Sequence, residues 1–351
     1  MTMPIALVRS LPKVALHDHL DGGLRPGTIV DLAAERRLPL PEAEADLLSD
    51  WFYRSADSGS LPRYLETFEV TVSVMQTKDA LTRVAREFVE DMAADGVVYA
   101  ETRWAPEQHL RGGLTLDEAV AAVQRGLDDG MAGTANRGTP VHVRQILASM
   151  RQAEPTLTIA RLVADWLGRG VVGFDLAGPE AGFPASRYRE AIAHVRSAGG
   201  RVTIHGGEAA GLESIRDALD CGAERLGHGV RLIDDIAGSE LGPLARQVRD
   251  RDITLEVCPT SNLQTGVAAS IAQHPFAQLM ASGLPVTVSC DNRLMSRTSL
   301  TRELVELDHT FRLGARGLGT LTRRAMRAAF CEPELVDELL ETVMEPAYPQ
   351  D

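Results

Sequence analysis

The sequence predicts a (β/α)8 barrel, with extra helices after the first strand forming a lid and a helical C-terminus. Two patterns carry that prediction. Eight short apolar runs of strand character recur along the chain, and amphipathic stretches with a 3.6-residue apolar period separate most of them. A third observation is positional: His, Asp and Glu residues gather at the C-terminal ends of the runs, the rim on which such barrels carry their sites. A doubly wound sheet is the alternative, but it normally stops at fewer strands, and no G-x-G-x-x-G follows the first run.

The first run, Val14 to His19, leads into H-D-H-L-D-G-G. In an extended chain, side chains alternate between faces, so His17 and His19 point one way and Asp18 the other, and the two imidazoles can share a metal. The connection from Gly23 to Gly96 is long for a compact domain. Within it Pro26 to Arg37 and Leu61 to Met75 read as helices, the second placing Leu61, Tyr64, Leu65 and Phe68 on one face. An insertion after strand one emerges where strand C-termini gather, so a lid is expected there.

The remaining runs are Val97 to Trp104, Val141 to Ala148, Val171 to Leu176, Arg201 to His205, Arg225 to His228, Ile253 to Cys258 and Pro285 to Cys290. Helix patterns between them cover Leu116 to Leu127, Thr158 to Leu167, Tyr188 to Ser197, Ser214 to Cys221 and Pro243 to Arg251. Leu300 to Leu313 and Leu318 to Met344 read as closing helices, with Pro333 interrupting the second. With no repeat, low-complexity tract or linker, residues 1–351 are expected to form a single barrel domain.

Charge and cysteine usage narrow the function. A net charge of -13 repels polyanions and supplies no basic stripe, which argues against a nucleic-acid partner and for a small molecule. Cys221, Cys258, Cys290 and Cys331 lie far apart without a C-x-x-C pair, which suits a reducing compartment. The apolar run at the N-terminus is too short for a signal peptide and nothing later reaches membrane-spanning length, so a cytoplasmic location without a membrane partner is expected.

The chemistry falls at run ends. His205 closes the fifth run in T-I-H-G-G-E, His228 the sixth in R-L-G-H-G, and Asp291 follows the eighth in V-S-C-D-N. His17, His19, His205 and Asp291 therefore form a candidate site of three imidazoles and one carboxylate, a donor set that suits zinc, with iron or cobalt as alternatives. Glu208, three residues past His205 and expected at the start of a helix, is close enough to serve as acid or base without binding the metal.

Taken in order, H-x-H-L-D-G, D-L-A-G, H-G-G-E, G-H-G and C-P-T-S-N followed by V-x-V-S-C-D resemble the adenosine deaminase family of metal-dependent hydrolases over nearly the whole chain. The resemblance implies one zinc per chain on His17, His19, His205 and Asp291, with Glu208 giving a proton to purine N1 and His228 orienting and helping to deprotonate the attacking water. It also implies that Gly178 contacts N3 through its backbone, that Asp21 meets the ribose 5'-hydroxyl, and that Leu61, Tyr64, Leu65 and Phe68 form a hydrophobic gate. The implied reaction converts adenosine or 2'-deoxyadenosine and water to inosine-type nucleoside and ammonia, as in purine salvage.

Related two-metal barrels bridge their ions with a modified lysine on strand four, whereas V-V-G-F-D-L-A-G has none, and neither Lys13 nor Lys78 is expected inside a barrel strand. Asp21 would repel a phosphate, which favours a nucleoside over AMP. The family commonly has two aspartates after strand eight, but here Asn292 follows Asp291 and faces the purine N7 in the resemblance. That departure keeps a modified adenosine, such as 6-aminodeoxyfutalosine, as an alternative substrate. A zinc-stabilised protein without catalysis would be expected to have lost Glu208 or His228, and both are present.

Overall fold

The computed structural model describes residues 2–238 and 240–349. Eight parallel strands follow one another in sequence order around the sheet. They are β1 (Lys13–His19), β2 (Val97–Trp104), β3 (His142–Met150), β4 (Val171–Ala177), β5 (Arg201–Gly206), β6 (Arg225–His228), β7 (Thr254–Val257) and β8 (Val286–Val288). Closure between β1 and β8 rests on a bridge of Asp18 with Asp291, in which the His19 N–H donates to the Asp291 carbonyl at 2.8 Å and the Asp291 N–H to the His17 carbonyl at 2.9 Å. The seam of the barrel thus runs through three candidate ligands.

Most of the expected helices form near their expected positions, the one from Leu116 running on to Asn136, while Ala45–Ala56 and Lys78–Ala94 add to the first connection; several helices carry capping signals. Thr115 and Glu118 form a reciprocal capping box at the start of Leu116–Asn136, and Thr77 caps Lys78–Ala94. Packed against the sheet, their apolar faces join the strands in the main core. A smaller cluster of Val14, Leu16, Tyr99, Met326, Leu339 and Met344 fills the N-terminal end of the barrel, where the C-terminal helices cover it. Tyr348 completes that cover, its hydroxyl donating to the Pro12 carbonyl at 2.7 Å.

Three sequence expectations change in detail. The helix expected from Leu61 to Met75 is two helices, Leu61–Glu66 and Phe68–Val74, meeting at Thr67, whose hydroxyl donates to the Tyr64 carbonyl at 2.7 Å and competes with the backbone ladder. Glu208 does not open a helix, because the next one, Leu212–Cys221, starts after Gly211. Lys13 does lie in a barrel strand, as the first residue of β1. It is at the end remote from His19, with Nζ donating to the carbonyls of Val8, Arg9 and Leu11 at 2.7–3.0 Å, so it has no part in a metal bridge.

Glu303, on helix Leu300–Phe311, illustrates a buried carboxyl held near its titration range. Burial raises it to about 7, against hydrogen bonds from Thr260 N–H and the Thr298 hydroxyl. A raised folded-state pKa makes stability highest below the unfolded value of 4.5 and lowers it as pH rises towards 7, by about 3 kcal/mol in all. Glu303→Gln, a neutral mimic of the protonated acid, is therefore expected to raise Tm at pH 8 and leave it nearly unchanged at pH 4. Thermal melts of both proteins at the two pH values check this; equal shifts at both would contradict it.

Candidate active site

One cavity at the C-terminal rim is lined by His19, Asp21, Leu61, Tyr64, Leu65, Phe68, Gly178, His205, Glu208, His228, Asp291 and Asn292. Every candidate named from the sequence lines it except His17, which is fully buried just beneath. His17 Nε2 and His19 Nε2 each lie 3.3 Å from Asp291 Oδ1, and His19 Nε2 lies 3.4 Å from His205 Nε2. Ring nitrogens of His17, His205 and His228 and a carboxylate oxygen of Asp291 all fall within 4.8 Å of one another. The alternation expected of β1 holds, since Asp18 turns away and accepts from Arg293 Nε at 2.9 Å.

Carboxylates behind the imidazoles fix their orientation. His17 Nδ1 donates to Glu256 at 2.9 Å and His205 Nδ1 to Asp175 at 3.1 Å, which leaves both Nε2 lone pairs aimed at the cluster. The Nε2 of His17 is buried with no hydrogen-bond partner. An orphaned imidazole nitrogen and crowded lone pairs beside a carboxylate are costly in a dry interior, and a divalent cation among them relieves that cost, so the donor set fits a metal. Arg103 ties the two carboxylates together, at 3.2 Å from Asp175 and 2.8 Å from Glu256.

Burial sets the charge states. It pushes His17 down, with Arg103 adding to the effect, and takes His19 well below the usual imidazole range. Both rings are thus neutral and able to ligate. Asp291 stays well below the usual carboxyl range although burial alone would raise it. Glu208 moves the other way, raised chiefly by burial with Asp291 and Glu180 adding to it against His228. Its Oε1 is buried without a partner and its Oε2 lies 3.6 Å from His228 Nε2.

Local backbone serves this arrangement. His228 and Asp291 both have positive φ, 63° and 61°, a costly conformation for residues other than glycine that the surrounding structure sustains. Gly227 is required by space, because a Cβ there would come within 3.1 Å of His17 and His205. The Glu208 segment is held by Glu180, whose carboxylate accepts the N–H groups of Gly207, Glu208, Ala209 and Ala210 at 2.5–3.1 Å. Above the cluster, the Phe68 ring stands 6.3 Å from His19 and 6.4 Å from Tyr64.

Sequence reasoning missed the supporting residues. Asp175, Glu256 and Arg103 lie in strands and are fully buried, and the signal for them was a charge inside an otherwise apolar run. Ser261, whose hydroxyl donates to Asp291 Oδ2 at 2.6 Å, was visible only as part of C-P-T-S-N. Glu180, two residues beyond Gly178, carried no signal apart from D-L-A-G.

A (β/α)8 barrel with an imidazole–carboxylate cluster on its C-terminal rim is the form of an enzyme whose active site lies among the strand ends. Residues 12–346 match the family model described as adenosine deaminase, and the chain belongs to that family. It is 51% identical over 348 residues to adenosine deaminase 1 of Streptomyces coelicolor, covering 97% of this chain and 88% of that one. Among solved structures it is similar to an adenine deaminase from Arthrobacter aurescens, with TM-score 0.83 and 26% identity over 95% of this chain and 98% of that one. An amidohydrolase from Burkholderia ambifaria with bound zinc aligns with TM-score 0.81 and 26% identity, over 96% and 91% of the two chains. Among the described residues no helix is long and apolar enough to cross a membrane.

Proposed function

We propose that this chain hydrolytically deaminates adenosine and 2'-deoxyadenosine, using one zinc ion held by His17, His19, His205 and Asp291. The observation that carries the reading is the meeting, at and just beneath one cavity, of imidazoles whose Nδ1 atoms are tied to carboxylates, leaving Nε2 inward, with a buried carboxyl, Glu208, that has an unpartnered oxygen. The name of the Streptomyces relative supports the substrate, and the zinc in the Burkholderia amidohydrolase supports the metal. When bound, zinc supplies a water acidic enough to ionise near neutral pH.

The chain's own residues do the rest. Glu208, whose carboxyl pKa is raised by burial, delivers a proton to purine N1, which makes C6 electrophilic. His228 orients the attacking water, the Gly178 backbone meets N3, and Asp21 meets the 5'-hydroxyl. Leu61, Tyr64, Leu65 and Phe68 close over the base and exclude bulk water. In this reading residues 1–351 act as one domain, in the cytoplasm, on a small-molecule nucleoside.

Asn292 supplies the sharpest substrate test. Its Oδ1 is buried without a partner beside Gly22, where a Cβ would come within 1.9 Å of it, and in the proposed complex the amide nitrogen of this cavity-lining residue faces the purine. That nitrogen donates to N7 at any pH. A 7-deaza base offers C–H there and leaves the donor unpaired, at a cost of about 1–3 kcal/mol. Ammonia release from adenosine, 2'-deoxyadenosine, adenine, AMP, 5'-modified adenosines and 7-deazaadenosine, with zinc content measured in parallel, checks the whole reading. The expected result is preference for adenosine, roughly five- to hundredfold lower kcat/KM for 7-deazaadenosine, and about one zinc per chain. Turnover of adenine or AMP but not adenosine would overturn it.

A further inference from the structure

His228 sits among the candidate ligands, yet its hydrogen bonding differs from theirs. The Phe276 backbone N–H donates to His274 Nδ1 at 3.0 Å, and an amide N–H can only donate, so that nitrogen is bare. His274 therefore carries its proton on Nε2 and gives it to Asn262 Oδ1 at 3.2 Å. With its oxygen engaged there, Asn262 presents Nδ2 to His228 Nδ1 at 3.1 Å, and this group too can only donate. Nδ1 of His228 is then bare, and the proton of the neutral ring is on Nε2, facing Glu208 and the cavity. His17 and His205 are protonated the opposite way round, with Nδ1–H on Glu256 and Asp175.

The relay has no slack. Asn262 is fully buried on the short helix Pro259–Gln264, and His274 is buried against it. Burial lowers His274 to about 4 and keeps its ring neutral. Neither residue lines the cavity.

We propose that Asn262 and His274 are positioning residues that hold His228 with its proton on Nε2, so that this imidazole donates a hydrogen bond to the attacking oxygen and does not ligate the metal. The inference rests on the functional reading above and departs from the resemblance in one respect: a protonated Nε2 offers no lone pair to a cation, and none to take a proton from water, so His228 orients the water without deprotonating it. Of the imidazoles around Asp291, His228 is thereby set apart from His17, His19 and His205 as a donor.

Holoenzyme labelled with 15N-histidine tests this, because long-range proton–nitrogen correlation distinguishes bare from protonated ring nitrogens. The expected spectrum has His228 with bare Nδ1 and protonated Nε2. Asn262→Ala is expected to mix the two tautomers and lower kcat about tenfold or more, with KM and zinc content unchanged; His274→Phe is expected to act in the same direction, more weakly. A protonated Nδ1 with bare Nε2 in the parent protein would overturn the proposal, as would variants that melt earlier but keep the parental nitrogen pattern. Should the variants fail to fold, the parent spectrum alone decides. Failure of the functional reading shows separately, as absent zinc or absent ammonia release from adenosine.

Discussion

Glu208→Gln is expected to retain zinc and bind nucleoside, yet to deaminate adenosine at least about a hundredfold more slowly, a loss of about 2.7 kcal/mol in transition-state stabilisation. The amide is nearly isosteric with the protonated carboxyl, so the segment held by Glu180 has no reason to move. What the amide lacks is a proton it can give up. Burial raises the Glu208 pKa in the folded protein, so the parent loses stability as pH rises from the unfolded carboxyl value through the folded one. A glutamine escapes that loss. Its Tm at pH 8 is therefore expected to match or exceed that of the parent while kcat collapses, and this pairing separates a chemical defect from a folding one. Steady-state kinetics, metal analysis and a thermal melt on one preparation check it; parental turnover would show that the N1 proton comes from elsewhere.

Much of this site could be read from the chain because its functional side chains sit at the ends of strands with strong apolar signatures. β2 and β6 have the limits expected, and β1, β4 and β5 differ from expectation by one residue at one end. Strand periodicity was enough to put His17 and His19 on the same side. Residues that act through backbone or through another side chain were much less visible. Glu180 works by accepting four N–H groups of a segment 27–30 residues away, and Asn262 and His274 meet only because a helix and a loop converge. No periodicity encodes such meetings. The split at Thr67 was hidden for a related reason, since a threonine hydroxyl that bonds to its own helix looks in sequence like any exposed helical threonine.

The charged barrel interior is the other feature that local sequence understates. Barrel cores are usually filled with branched apolar residues, whereas this one carries Arg103, Asp175 and Glu256, with Arg225 between Glu256 at 2.7 Å and Glu101 at 2.5 Å. Each charge taken singly would be costly to bury, and each is paired. The pairing explains why carboxylates behind His17 and His205 stay ionised: burial opposes it, but Arg103 beside both, with Arg225 beside Glu256, favours the charged form, and Asp175 and Glu256 lie far below the usual range. Ionised carboxylates are what keep the Nδ1 protons in place and the Nε2 lone pairs pointing inward.

Removing His205 should therefore have a different result from weakening its support. His205→Ala is expected to abolish tight zinc binding and turnover together, because it deletes one inward Nε2 from the proposed four-donor set. The fold should survive, since Asp175 keeps Arg103 as a partner at 3.2 Å and no buried charge is left alone. Asp175→Asn should be intermediate. Its amide oxygen can still accept the Nδ1 proton, but a neutral acceptor enriches the imidazole less, and zinc affinity is expected to fall about ten- to a hundredfold. Excess zinc should then restore most of the activity of Asp175→Asn and none of that of His205→Ala. Competition with a chromogenic chelator measures both affinities without reference to catalysis. Zinc bound as tightly by His205→Ala as by the parent would remove His205 from the ligand set, and unchanged affinity in Asp175→Asn would show that the carboxylate serves only to neutralise Arg103.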